Sequence, residues 1–329
     1  MSKVDVTIAI CSHNRTEGLQ HCLETLIKQD TGNLFTYEVV VVHTASLGTR
    51  EMIEEMAKAS PVPVRGIRHP HEGTVSARNQ GFREAQGDWI AMFDDDQIAD
   101  PQWLRELWLV AKENNVKSVG GLLHLRLPEG CDRKLSQRCR RMLGETVKWE
   151  TSRPYTRQEG PGSGNQMIHR TVIDQVGIFD HSFVLRGHDT DLYRRIRMAG
   201  FDSWYSPKAV GYHIIPPHRL EDSFFKDASL HNGWSFARRD LLERGRLAAV
   251  GLASLRAIQA LVINLPRLGV SILRGNREEI LDARIRLWRA EGYVRSTLYS
   301  LAPSLFTQNR FFKKYEFRGE KHFPAIRGA

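Results

Sequence analysis

Through the first third of the chain, short apolar and mostly β-branched runs alternate with stretches of helical periodicity. VTIAIC (Val6 to Cys11), YEVVVVH (Tyr37 to His43), VRGIRH (Val64 to His69) and WIAMFD (Trp89 to Asp94) read as strands. EGLQHCLETLIKQ, TREMIEEMAKAS and VSARNQGFREAQ between them read as helices. This order predicts an α/β fold, a mostly parallel sheet covered by helices on both faces. Ligands of such sheets sit outside the carboxyl ends of the strands. Cys11-Ser12-His13-Asn14, His43-Thr44, His69-Pro70-His71 and Asp94-Asp95-Asp96 fall at those ends, so four polar clusters should line one rim, the expected active site.

A helix, PQWLRELWLVAKENN, and a strand, VGGLLHL, come next, followed by a polar, Arg-rich stretch from Pro128 to Gln158. A Gly-rich turn (Gly160 to Asn165), a helix (Asp189 to Ala199) and a strand-like AVGYHI lead to a long helical pattern from about Asn232, punctuated by Pro266. The expected division is a catalytic α/β domain over 1–234 and a helical region over 235–329. The charge divides there too. Residues 1–234 carry 29 Lys+Arg against 30 Asp+Glu, net −1, and residues 235–329 carry 18 against 8, net +10. The +9 of the whole chain therefore belongs to its C-terminal region, which points to an anionic partner there, a membrane surface or nucleic acid. The longest charge-free apolar stretch in that region, Ala257 to Pro266, is well short of the ~18 residues expected of a spanning helix. The four cysteines form no CxxC, and with no secretory leader before the first apolar run they are expected to be reduced thiols of a cytosolic protein.

WIAMFDDDQIADP sets three like charges at the end of a buried strand, where unpaired burial would cost several kcal/mol. Side chains two apart on an extended segment face the same way, so Asp94 and Asp96 should converge while Asp95 turns aside. Two hard carboxylates on one spot suit Mg2+ or Mn2+ shared with substrate phosphates. The competing reading is a solvated acidic turn ahead of a helix with Asp100 as N-cap.

Ala77 to Leu104, ARNQGFREAQGDWIAMFDDDQIADPQWL, resembles the family 2 glycosyltransferases of the GT-A fold. Three further segments agree in order and spacing: the N-terminal strand ending SHNR, GNQMIHRTVIDQVGIFDHSF, and RGHDTDLYRRIRMAGFDSWYSPKAVGYH. The resemblance covers about residues 4 to 215. It implies inverting transfer of a sugar from a nucleotide-sugar donor to an acceptor hydroxyl, a glycan or lipid-linked acceptor, with a divalent cation bridging the donor diphosphate. By position in the pattern, Asp94 contacts the donor ribose and Asp96 the metal, with Asp95 between them in the donor-binding set. His213 closes over the metal or diphosphate. Arg78 and Asn79 hold the nucleotide, Asn14 and Arg15 flank it, and Asn165 lies beside donor sugar and acceptor.

Two positions depart from the family. GEDxDL is usual where this chain has Gly187-His188-Asp189-Thr190-Asp191-Leu192. Asp189 aligns with the carboxylate that removes the acceptor proton, and His188 can orient the acceptor or act as the base itself. Asp191 is expected to cap the helix or pair with Arg194 or Arg195. The acid that helps read the nucleobase after the second strand is His43 here, which leaves UDP as a default nucleotide.

A Mg2+-dependent nucleotidyltransferase would also use strand-end carboxylates, but CSHNRTEG is a poor match to its phosphate loop. A non-catalytic GT-A-like binding protein is the other alternative, against which stand Asp94, Asp96, Asp189 and His213. RFFKKYEF interleaves basic and aromatic residues without a recognised module, so nucleic acid is not expected as a partner. At ~100° per residue Arg256, Arg267 and Arg274 share one stripe of an otherwise apolar helix. The expectation is peripheral attachment to the cytoplasmic membrane face, with Pro266 kinking the helix in two.

Overall fold

The computed structural model describes residues 4–44, 47–69, 73–157, 159–181 and 187–305; His71 and the RFFKKYEF segment lie outside the described residues. The first seven elements alternate as expected: β1 (Val6–Ser12), α1 (Thr16–Leu26), β2 (Tyr37–His43), α2 (Leu47–Ala59), β3 (Val64–Arg68), α3 (Thr74–Glu84) and β4 (Trp89–Asp94). A turn at Asp95 and Asp96 leads into β5 (Gln97–Ala99), α4 (Trp103–Glu113), β6 (Ser118–Arg126), α5 (Gln137–Met142) and β7 (Arg153–Pro154). Then come β8 (Asn165–His169), α6 (Arg170–Val176), α7 (His188–Met198) and β9 (Ser203–Ile214). A 3-10 turn (Pro217–Leu220) precedes α8 (Asp222–Gln259), a π-helical turn (Ala260–Asn264), α9 (Leu265–Leu273) and α10 (Arg277–Leu301).

One sheet holds these strands in the order β3-β2-β1-β4-β8-β6-β9-β5, with β7 beside β9. The β3-β2-β1-β4 half is parallel, and β1, β2 and β4 are mostly apolar and buried because both faces are covered, while the edge strand β3 is partly exposed. β8 enters antiparallel to both β4 and β6, so the sheet is mixed. α1 shows how the covering works: Leu19, Cys22, Leu23 and Leu26, spaced by three and four, form its buried side. One core lies between the sheet and α1 and α4, centred on Ile8, Leu23, Trp103 and Leu107. The opposite face packs Ile90 and Ile168 against Phe82, Val172 and Ile196 of α3, α6 and α7.

The change of composition at residue 235 is not a structural break, because α8 runs straight through it. Its N-terminal half is built into the rest of the molecule: Phe225 of α8 and Leu281 and Ile285 of α10 share a core with Cys139, Leu143 and Ile215. α8 and α10 approach closely through glycines. A Cβ on Gly233 would lie 2.1 Å from the Arg289 carbonyl oxygen, and one on Gly292 2.1 Å from that of Leu230. The helical run breaks at Gly245, whose φ of 81° is left-handed, and not at Pro266. Pro266 is accommodated in the first turn of α9, after the π turn, where a missing N–H costs little.

That π turn also corrects the arginine stripe. An extra residue per turn shifts the facing of everything beyond it, so Arg256 parts from Arg267 and Arg274. Arg256 turns inward, its guanidinium 3.8 Å from the centre of the Tyr293 ring and 3.5 Å from Asp240, while Arg267 and Arg274 are exposed. Beyond Gly245 the surface is apolar and open: Leu247 is 92% and Leu273 89% exposed, and Leu261, Val262 and Ile263 are exposed between them. The run Asp222–Leu273 contains an 18-residue window of mean hydropathy 1.6, long and apolar enough to cross a membrane by length and composition, more than its charge-free core suggested.

Candidate active site

Strand register assembles the rim. Ser12 lies opposite His43, His43 opposite Arg68, and Cys11 opposite Asp94, so the carboxyl ends of β1 to β4 present one polar edge. From the other side, β5 pairs with β9 so that Gln97 faces His213, which delivers His213 to the residue just before Gln97, Asp96.

The acidic triplet does not converge as expected. β4 ends at Asp94 and the next two residues form a turn, so the two-residue alternation of an extended strand stops where the triplet begins. Asp94 points to Arg78, whose Nη2 donates to its carboxylate at 2.6 Å. Asp95 and Asp96 share the other side through Arg15, whose Nη1 lies 3.1 Å from each. Asp96 also lies 3.2 Å from Arg219 Nη2 and 3.2 Å from His213 Nε2. These contacts separate two neighbouring carboxyls electrostatically. Burial opposes ionisation of Asp96, but His213, Arg219 and Arg15 outweigh it and hold the group well below the usual carboxylate range. Burial is only partly offset by Arg15 at Asp95, and with Asp96 adjacent it pushes the Asp95 carboxyl above that range.

Arg78 is the hub of the opposite wall. Besides Asp94 it donates through Nη1 to Asp189 at 3.3 Å, its Nη1 lies 2.6 Å from His188 Nε2, and it lies over the Phe179 ring. Asp189 also accepts from Ser163 Oγ and lies 3.1 Å from His188 Nε2. Burial would raise its pKa, yet His188, Arg78 and Ser163 hold it well below the carboxylate range. The two base candidates now differ sharply. His188 is buried against Phe179 with its Nε2 confined between Arg78 Nη1 at 2.6 Å and Asp189 at 3.1 Å, whereas the Asp189 side chain is 38% exposed and lines an open groove. Asp191 pairs with both Arg194 (3.0 Å) and Arg195 (2.8 Å), as its helical spacing implies.

Two residues assigned to the nucleotide or sugar are braces instead. Asn79 is fully buried; its Nδ2 donates to the Phe179 carbonyl and its Oδ1 accepts the Phe179 N–H, both at 2.9 Å. Asn165 is buried too, accepting from Trp103 Nε1 at 2.7 Å and donating to the carbonyls of Leu122 and Ala209, where β6 and β9 slip register. Neither amide has a face left for substrate. Asn14, with φ 53°, remains at the rim beside His13. His43 is 4% exposed beneath the rim and its Nδ1 has no hydrogen-bond partner; burial, Arg50 and Arg68 lower its pKa.

Sequence reasoning missed Ser163 and Arg219. The Gly-rich turn that carries Ser163 and the His218-Arg219 pair shortly beyond His213 were the only signals for them.

Among the described residues no group of three or more His, Cys, Asp or Glu side chains is poised to hold a metal. Asp96 and His213 nonetheless fit a cation that draws its remaining ligands from phosphate and water. His213 Nδ1 donates to the Leu143 carbonyl at 2.7 Å, which turns Nε2 toward Asp96 at 3.2 Å and Arg219 Nη1 at 2.9 Å, so Nε2 is the ring nitrogen a cation would meet there. All four cysteines are free thiols.

The chain is similar to known glycosyltransferases. Glycosyltransferase AglE of Haloferax volcanii is 25% identical over 213 residues, 64% of this chain and 67% of that one. The succinoglycan biosynthesis protein ExoM of Rhizobium meliloti is 23% identical over 240 residues, 71% of this chain and 74% of that one. Mannosyltransferase PcManGT from Pyrobaculum calidifontis, solved in complex with GDP-Man and Mn2+, superposes with a TM-score of 0.61 over 91% of this chain and 88% of its own. At 16% identity that likeness is one of fold, and the fold is GT-A. Residues 7–176 match the family described as Glycosyl transferase family 2, slightly more than half of the 329 residues, and the chain belongs to that family of glycosyltransferases.

Proposed function

We propose that this chain moves a sugar from a nucleotide-sugar donor to an acceptor hydroxyl with inversion, in the synthesis of a polysaccharide or glycolipid, and that it requires Mn2+ or Mg2+. The observation that carries the mechanism is Asp189: a carboxylate kept ionised by its neighbours, partly exposed, on the wall of an open groove and one arginine away from the donor-side Asp94.

Donor binding is assigned to the rim. Asp94 accepts from the ribose, Asn14 and Arg15 flank the nucleotide, and His43 underlies the rim that holds it. Asp96 and His213 would hold the cation, which when bound supplies Lewis-acid neutralisation of the departing diphosphate. Arg15 and Arg219, which neutralise Asp96 in this structure, would be the guanidinium groups nearest the diphosphate, with Asp95 holding Arg15 in place. On the acceptor side Asp189 takes the proton from the attacking hydroxyl, Ser163 orients that carboxylate, and Arg78 couples it to Asp94 so that both walls of the site keep one geometry. His188 acts as a positioning residue, since its Nε2 is engaged by Arg78.

We also place the enzyme at the cytoplasmic membrane face, peripherally. The open apolar surface from Leu247 to Leu273, with Arg267 and Arg274 exposed on it, suits the boundary of an anionic bilayer. The charged α10 packed along the same helices favours lying on the membrane over crossing it.

A panel of nucleotide sugars, each assayed for release of free nucleoside diphosphate with Mn2+, with Mg2+ and with EDTA, tests the reading. Cation-dependent diphosphate release that rises with acceptor supports it. Release of pyrophosphate instead would mark a nucleotidyltransferase and overturn it.

A further inference from the structure

The groove that Asp189 lines has a volume of about 1020 Å³ and is walled by α7, α8, the π turn and α10. A neutral sugar acceptor would need hydroxyl and amide partners. Most of the charged side chains here are instead guanidinium groups, and their counter-charges are already engaged. Asp240 serves Arg239, Arg244 and Arg256 and accepts from the Tyr293 hydroxyl. Asp282 is held by Ser136 and Arg138. Arg286 and Arg289, three residues apart on the same face of α10, form no ion pair among the described residues, and the buried Nε of Arg286 has no hydrogen-bond partner. Burial and the surrounding arginines, Arg138 above all, lower the pKa of both, and Asp282 offsets this only in part. The same groove is lined by Ile263, which belongs to the open apolar surface.

We infer that Arg286 and Arg289 bind a phosphate or diphosphate group carried by the acceptor, so that the sugar hydroxyl at its other end reaches Asp189. A group with two or more negative charges on adjacent oxygens matches paired guanidinium forks, and a single carboxylate would leave one of them uncompensated. This rests on the glycosyltransferase reading of the groove and names its acceptor class. The phosphate has two sources, a lipid-linked diphosphate whose chain leaves over Ile263 and Val262, or a soluble phosphorylated sugar.

The test uses the full chain at low salt in EDTA, which removes the cation the donor site needs for a diphosphate and so separates the two sites. Farnesyl diphosphate, inorganic pyrophosphate and uncharged farnesol are titrated as probes. Farnesyl diphosphate is expected to bind, and Arg286→Gln/Arg289→Gln to weaken it at least about tenfold, the scale of losing charged hydrogen bonds. Arg286→Lys/Arg289→Lys, which preserves the charge, should retain more of the binding than the Gln variant, and an unchanged thermal unfolding midpoint of the Gln variant shows that it is folded. Pyrophosphate binding as tightly as farnesyl diphosphate assigns the soluble source, and much weaker pyrophosphate binding the lipid-linked one. Unchanged affinity in the Gln variant, or farnesol binding as well as its diphosphate, overturns the inference. Nucleotide titration with Mn2+ reports on the donor site independently, so failure there would count against the glycosyltransferase mechanism and not against the groove.

Discussion

Replacing Asp189 by Asn separates chemistry from architecture at this site. The amide is nearly isosteric, and its oxygen can still accept from Ser163 and Arg78, while Arg78 keeps its 2.6 Å contact with Asp94. The lost ion pair spans 3.3 Å to a carboxylate that is 38% exposed, so solvent screening limits its worth to about 1 kcal/mol. An amide cannot accept the acceptor proton. Loss of a general base lowers kcat by roughly 10²- to 10⁴-fold, about 2.7 to 5.4 kcal/mol of transition-state stabilisation. The activity loss should therefore far exceed the stability loss. Steady-state nucleotide release at saturating donor and acceptor, nucleotide titration with Mn2+, and thermal unfolding together measure all three quantities. The expected pattern is a large fall in kcat, nucleotide affinity within about twofold, and a small fall in Tm. pH adds a further check. Because the folded pKa of Asp189 is depressed, its contribution to stability is present above the unfolded value of about 3.9 and is lost as pH falls through the folded pKa. The Tm gap between wild type and Asp189→Asn should thus be fully open at pH 7 and close as the solution is acidified below about pH 4. If Asp189→Asn keeps kcat within about threefold while His188→Ala cripples the enzyme, the assignment of the base is wrong and His188 takes the role.

Asp96→Ala should abolish cation-dependent nucleotide binding, since it removes the carboxylate facing His213 Nε2; equal nucleotide affinity with Mn2+ and with EDTA in wild type and variant would refute the site. Gly164→Ala sets a Cβ 2.3 Å from Asp94 Oδ2 and 2.7 Å from Gln97 Nε2, so it should displace the carboxylate proposed to meet the ribose and raise the donor KM, at an overpacking cost of about 1–3 kcal/mol in stability; an unchanged KM would mean Asp94 does not meet the donor. Binding to phosphatidylglycerol vesicles should weaken in high salt and fall roughly fivefold for each of Arg267→Gln and Arg274→Gln, about 1 kcal/mol apiece, in sedimentation assays. A protein that ignores such vesicles at low salt would leave the apolar helices as a surface for something other than lipid.

The amino-acid sequence by itself determined the parallel half of the sheet and the contents of its rim. β1, β2 and β4 are continuous apolar runs, α1 and α4 are amphipathic at helical spacing, and the polar residues that end the strands sit at the rim because parallel strands put all their carboxyl ends on one side. The four family segments likewise named Arg15, Arg78, Asp94, Asp96, Asp189 and His213, which the fold does bring together. Where side chains point was legible only while the backbone kept its period. Asp94 and Asp96 diverge because a turn begins at Asp95, and Arg256 leaves the stripe of Arg267 and Arg274 because a π turn intervenes. Asn79 and Asn165 look like site residues in one dimension. Only the tertiary structure shows that one is consumed by the backbone of Phe179 and the other by Trp103 and the slipped register of β6 and β9. Arg219 reaches Asp96, and Arg286 and Arg289 reach the groove of Asp189, across separations of a hundred residues or so in sequence. Local spacing carries no information about such meetings; they follow from how β5 pairs with β9 and how α10 folds back on α8 through Gly233 and Gly292.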